Sequence, residues 1–121
     1  MRFLDRIRLI FGQKTEKELD EIEVGFRKKY GLPRFLFATV DGLPIFGRFD
    51  NYEVLSAELP ELLKFLARIE SSEHYFIKTE QGLYLLLQVS EEIIMFAEAN
   101  KILGKDDMEN LLEDIKKELN I

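Results

Sequence analysis

Two stretches of this chain, Phe35–Val40 and Leu83–Leu87, are apolar at almost every position where a strand is expected, with no polar residue in each second place. A sheet with one wet face alternates apolar and polar residues along its strands. Continuous apolar strands mean that both sheet faces are covered. The fold must therefore place layers above and below a sheet, and the rest of the chain supplies them.

The elements follow from periodicity and punctuation. Thr15 with Glu18 three residues on forms a capping box, and Leu19, Ile22, Phe26 and Tyr30 give one apolar helix face that Gly31 and Pro33 close. Residues 34–49 read as a hairpin turning at Asp41-Gly42. From Glu53 to Glu70 the period is helical, with Leu55, Leu59, Leu62, Leu63, Leu66 and Ile69 on one side. Pro60 lacks a backbone donor, so it is expected to kink this helix or to mark the start of its regular part.

Three strands follow: HYFIKT, a turn at Glu80-Gln81-Gly82, LYLLLQV, a short connection at Ser90–Glu92, and IIMFAEA. A last helix is expected near Asp106, with Glu109 as its box partner, Met108, Leu112, Ile115 and Leu119 on its face, and Lys116/Lys117 at its end. Ahead of all this, Phe3, Leu4, Ile7, Ile10 and Phe11 recur at helical spacing up to Gly12. The expectation is one α/β (α+β) domain over 15–121, with residues 1–14 as an amphipathic helical extension.

Five strands at about 4.8 Å spacing make a sheet roughly 24 Å wide, whereas one helix covers a stripe of about 10 Å. Helices at 16–30 and 107–119 can cover one face together. The other face has only the 53–70 helix, and apolar area left bare usually becomes an interface. A homodimer pairing two such helices would complete the cover. Leu59, Leu62, Leu63, Leu66 and Ile69 are then the expected seam, and Tyr75 and Ile77 lie on the HYFIKT strand expected to offer an open edge.

Composition narrows the function. The chain has 121 residues, 46% hydrophobic and 33% charged, which suits one globular domain. It has no cysteine, so disulfides, thiolate metal sites and thiol nucleophiles are excluded. A net charge of −6 disfavours nucleic acid, and the basic groups Arg27/Lys28/Lys29 and Lys116/Lys117 complement helix C-termini. No stretch reaches a membrane span, Asp5, Arg6 and Arg8 interrupt any secretory signal, and no N-x-Ser/Thr site occurs, so a cytoplasmic protein is expected. Abundant Lys, Glu and Ile without Cys or Trp is a bias of thermophilic prokaryotes.

Catalytic readings fare badly. His74 is the sole histidine and has no nucleophile placed with it, and no G-x-S-x-G elbow occurs. Gly12-Gln13-Lys14-Thr15 lacks the frame of a phosphate loop, and Glu91/Glu92 and Asp106/Asp107 lack calcium-loop spacing. Phe35/Phe37 and Leu83/Leu85/Leu87 read as core before ligand pocket. No catalytic residue, metal or cofactor is expected. Phe3, Leu4, Ile7, Ile10 and Phe11 could dock on their own domain, on a partner's groove or on an anionic membrane, with membrane contact the least favoured.

The pattern resembles the roadblock family, also called the dynein light-chain roadblock family. The resemblance rests on ATVDGLPI at 38–45, LSAELPELLKFL at 55–66, YFIKTEQGLYLLLQV at 75–89, IIMFAEA at 93–99 and the terminal helix. It implies a sandwich with two helices on one face of a five-stranded, mostly antiparallel sheet and one on the other. It also implies dimers in which middle helices pair and sheets join edge to edge. The partner it implies is a small Ras-like GTPase, scaffolded, exchanged or activated for hydrolysis, and no arginine among Arg27, Arg34, Arg48 and Arg68 is assigned a catalytic part. Residues 1–14 and Pro60 depart from the family pattern. The competing readings are a small-ligand sensor and an adaptor recruited to membranes by residues 1–12.

Overall fold

Helix α1 (Glu16–Tyr30) begins where its capping box places it. Thr15 is extended, and its hydroxyl accepts the Glu18 N–H at 3.1 Å. The helix ends at Gly31, whose φ of 68° is left-handed, and the N–H groups of Gly31 and Leu32 return to the carbonyls of Arg27 and Phe26. The computed structural model describes residues 13–121; the expected stripe from Phe3 to Phe11 lies outside the described residues.

The chain then forms β1 (Arg34–Thr39), β2 (Pro44–Gly47), α2 (Tyr52–Ile69), β3 (His74–Lys78), β4 (Leu83–Gln88), β5 (Ile93–Ala99) and α3 (Lys105–Leu119). The five strands make one antiparallel sheet in the order β2-β1-β5-β4-β3, so β3 stands at an edge. No helix among the described residues is long and apolar enough to cross a membrane.

Strand pairing sorts the apolar residues onto two faces. Phe37 lies opposite Met95, and Leu85 opposite Ala97; these join Leu19, Phe26, Tyr30, Leu111 and Ile115 in the core under α1 and α3. Leu36, Ala38, Leu86 and Ile94 point the other way, to α2 with Phe49 and Leu59. The uninterrupted apolar runs are thus the signature of a sheet packed on both sides, with two helices on one face and one on the other.

Two local expectations need correction. α2 starts at Tyr52, eight residues before Pro60, so the proline does not mark the start of the helix's regular part. Fully buried Ser56 and nearly buried Leu59 pin that segment to the sheet, and tertiary packing of this kind outweighs one missing backbone donor. The second correction concerns α3, whose N-cap is Gly104 with no side-chain cap. Asp106 and Asp107 lie inside its first turn, where they complement the helix dipole, so Asp106 and Glu109 form no capping box.

The β1–β2 turn rests on α2. Gly42 has φ of 90°, and a Cβ there would stand 3.2 Å from the Ala57 Cα. The Thr39 hydroxyl accepts the Leu43 N–H at 3.0 Å and holds the turn's far side.

Candidate dimer and partner surface

α2 carries more apolar residues than one buried face can use. Its inward side places Leu55, Leu59 and Leu63 on the sheet, packed with Leu36, Leu86 and Ile94. One helical flank round, Val54 is 61% exposed, Phe65 58% and Ile69 70%. Positions 54, 65 and 69 align along one edge of the helix, and half-buried Leu62 and Leu66 bridge that edge to the core. Exposed Glu58 lies within this edge, one turn on from Val54, and Glu61 beside it pairs with Lys64 at 3.5 Å.

The helix lies chiefly over β1 and β2. On the same face, β4, β5 and β3 present Tyr84, Phe96, Tyr75 and Ile77, all only half-buried. Tyr84 and Phe96 stack at 5.6 Å with rings 5° apart. Tyr75 is anchored by its hydroxyl, which donates to the Glu70 carbonyl at 2.7 Å and accepts the Ser72 N–H at 3.0 Å. Leu66, Tyr75 and Ile77, with the polar Glu70, Ser72 and His74, line a hollow of about 360 Å³ between the end of α2 and β3. Half-buried apolar side chains thus extend from α2 across this half of the sheet to β3, an edge strand among the described residues.

Of the residues expected at a seam, Leu62, Leu66, Ile69, Tyr75 and Ile77 come together on this surface. Leu59 is 3% exposed and belongs to the chain's own core, while Leu63 is half-buried like Leu62 and Leu66. Val54 and Phe65 escaped the sequence reading. The available signal was a second apolar stripe on α2, at 54, 62, 65 and 69, which widens its apolar arc past a single buried face.

The remaining candidate chemistry stays dispersed. The His74 ring is exposed at the β3 edge, 6.1 Å edge-on from Phe76, beside a hollow of about 350 Å³ floored by Leu87, Leu103, Met108 and Leu112. No group of three or more potential ligands among the described residues could hold a metal ion. Phe35, Phe37, Leu85 and Leu87 are core. Arg48 bridges β2 to α1, 2.9 Å from Glu23 and within 4 Å of Glu16 and Asp20, with its guanidinium over Phe46. Arg34 pairs with Glu98 at 2.8 Å and lies over Phe49.

The clearest perturbed group is Tyr30, at the junction of α1 and α3. Burial, reinforced by its hydrogen bond to the Asp114 carboxylate, pushes its phenol up to about 12. Hydrogen bonds from Lys29 and Tyr30 hold Asp114 below its ordinary value, and the Lys29 ammonium, 2.8 Å away, is raised in return. This cluster joins two helices on the face opposite α2. Its geometry is that of a clasp between the two helices, beside a hollow of about 230 Å³ that Lys29 and Asp114 help to line.

No family model matches the chain. An uncharacterised protein of Archaeoglobus fulgidus is 26% identical over 103 residues, which cover 85% of this chain and 61% of that protein. The chain thus spans about three fifths of the length of the curated relative it matches. Among solved structures, an MglB with tetrameric arrangement superposes with a TM-score of 0.64 at 11% identity, covering 86% of this chain and 89% of the other. Myxococcus xanthus MglB gives 0.62 at 9% identity, covering 88% and 94%. A Roadblock/LC7 domain from Streptomyces avermitilis gives 0.61 at 12%, covering 84% and 98%. At such identities the likeness is one of fold: the helices and the five-stranded antiparallel sheet of this chain adopt the roadblock/LC7 architecture, as the motifs at 38–45, 55–66 and 75–89 had implied.

Proposed function

We propose that this chain is a non-catalytic, dimeric interaction module that binds a small Ras-like GTPase. One observation carries the reading: exposed Val54, Phe65 and Ile69 on α2 and half-buried Tyr75 and Ile77 on the edge strand β3 lie on the same side of the sheet. A soluble domain rarely leaves such an arc bare, and a second copy laid across it supplies the missing helix for the sheet's thinly covered half. Two α2 helices side by side would then form a broad outer surface on which a folded partner can rest. The GTPase as partner follows from the roadblock resemblance, to which the fold likeness adds support.

The test uses tagged full-length protein to capture partners from native-host lysate, with GDP or a non-hydrolysable GTP analogue present. The expected outcome is a small GTPase retained preferentially with one nucleotide. A capture that retains the protein's own dimer but no GTPase with either nucleotide refutes the proposed partner.

A further inference from the structure

The charged side chains of α2 are sorted by sign. Glu53, Glu58 and Glu61 occupy its N-terminal half and Lys64 and Arg68 its C-terminal half, with Glu70 at the C-cap. The helix dipole accounts for the ends, since Glu53 stands in the first turn and Arg68 in the last. It does not account for Glu58, because the effect fades beyond one turn.

Glu61 has a partner on its own helix in Lys64, at 3.5 Å. Glu58 and Arg68 are both exposed, and neither forms an ion pair among the described residues. Each also sits beside a like charge on the helix surface, Glu58 three residues before Glu61 and Arg68 four residues after Lys64. Glu58 interrupts the apolar edge of Val54, Phe65 and Ile69, where a carboxylate without a cation opposes burial.

A second copy of the same helix meets both needs in one direction only. Parallel helices would set Glu58 against Glu58 and Arg68 against Arg68. Antiparallel helices that match Val54 with Ile69 of the partner subunit cross between positions 61 and 62. Arg68 of the partner subunit then comes level with Leu55, three residues from Glu58 and about 4.5 Å along the axis. Lys64 of the partner subunit comes closer in height, level with Leu59. It stands further round the helix, about 100° from Phe65 against about 60° for Arg68, and Glu61 already holds it. Two-fold symmetry makes each contact twice.

We propose that Glu58 and Arg68 pair across the α2 seam of two copies of this chain, fixing the helices antiparallel and selecting another copy of the chain as the partner. Like charges brought together at a seam cost more than a matched surface pair gains, so the pair acts on direction and selectivity before affinity. This inference rests on the dimer proposed above and is independent of the GTPase.

Charge reversal at these two exposed positions tests it. Glu58→Arg and Arg68→Glu are studied singly, combined and mixed, by sedimentation equilibrium beside the native dimer. Each single reversal should weaken self-association at least about tenfold, because like charges then meet twice per dimer. Glu58→Arg/Arg68→Glu in one chain restores opposite signs and should recover native association to within about threefold. Mixing the two single variants matches both contacts, so the heterodimer should form more tightly than either homodimer. A native dimer that ignores the single reversals, or single variants with no preference for each other, overturns the pair and leaves the dimer standing. A native monomer overturns the dimer and the pair together. Should a reversal unfold the chain, Glu58→Gln and Arg68→Gln carry the same test in a double-mutant cycle of dimer dissociation. Coupling between them is expected, and strict additivity overturns the pair.

Discussion

Tyr30 shows how a single side chain ties the architecture together. Its ring packs against Phe26 at 6.1 Å within the core under α1 and α3, while its hydroxyl donates to Asp114 on α3. Replacing it with Phe keeps the ring and removes one bond to a carboxylate, so a loss of about 1–2 kcal/mol is expected at pH 7. The pH dependence has a definite sign. A phenol held protonated in the fold contributes stability below its unfolded value of 10, and that contribution drains away as pH climbs towards about 12. The advantage of the native protein over Tyr30→Phe should therefore be full at pH 9 and fall above pH 10. Urea titrations of both proteins across that range measure it, and a difference that stays constant to pH 12 would contradict the assignment. Asp114 works in the opposite window: its lowered value means a contribution present at neutral pH and lost in acid, below its ordinary 3.8.

At the scale of elements, the junction of hairpin and α2 is the tightest place in the fold. A Cβ on Gly47 would stand 2.5 Å from the Tyr52 Cγ and 2.6 Å from its Cβ, close to the Tyr52 backbone where the ring cannot swing aside. Gly47→Ala should cost about 2 kcal/mol by overpacking, and thermal melts should show a Tm several degrees lower with the same helical signal. This contact explains what was legible in the sequence and what was not. Periodicity and turn chemistry are local, so α1 with its Thr15 cap, the Asp41-Gly42 hairpin and all five strands could be read directly. The uninterrupted runs at 35–40 and 83–87 even revealed a sheet covered on both sides. The Gly47–Tyr52 approach joins two elements and leaves no periodic trace. The Gly104 start of α3 was hidden by a plausible box at Asp106, because the first turn of a helix favours acids whether or not they cap it. Leu59, expected at the seam, lies in the core, and Phe65, for which no place was expected, is exposed, for a related reason. Apolar residues nearly encircle part of α2, and sequence alone does not say which arc the sheet claims.

For the whole molecule, the decisive asymmetry lies between the two sheet faces. α1 and α3 close one face over a continuous core, whereas α2 leaves Tyr75, Ile77, Tyr84 and Phe96 half-buried on the other. A dimer formed through that face would make folding and assembly one equilibrium, with stability dependent on protomer concentration. For two chains of 121 residues, a tenfold rise in concentration should raise Tm by about 3 °C, because roughly 1.4 kcal/mol of mass action is divided by the unfolding entropy of the pair. Phe65 and Ile69 are the residues to change, since both are mostly exposed and Leu59 holds the core behind them. Phe65→Asp/Ile69→Asp should sediment as a monomer, keep its helical signal, and melt at a temperature independent of concentration. Charge placed in a buried apolar seam opposes association far more than charge on an open surface. If the variant still sediments as a dimer with the native concentration slope, the seam lies away from the outer edge of α2. If the native protein itself is a monomer whose Tm ignores concentration, the exposed arc instead awaits a different chain, and the bare half of the sheet is where that chain must sit.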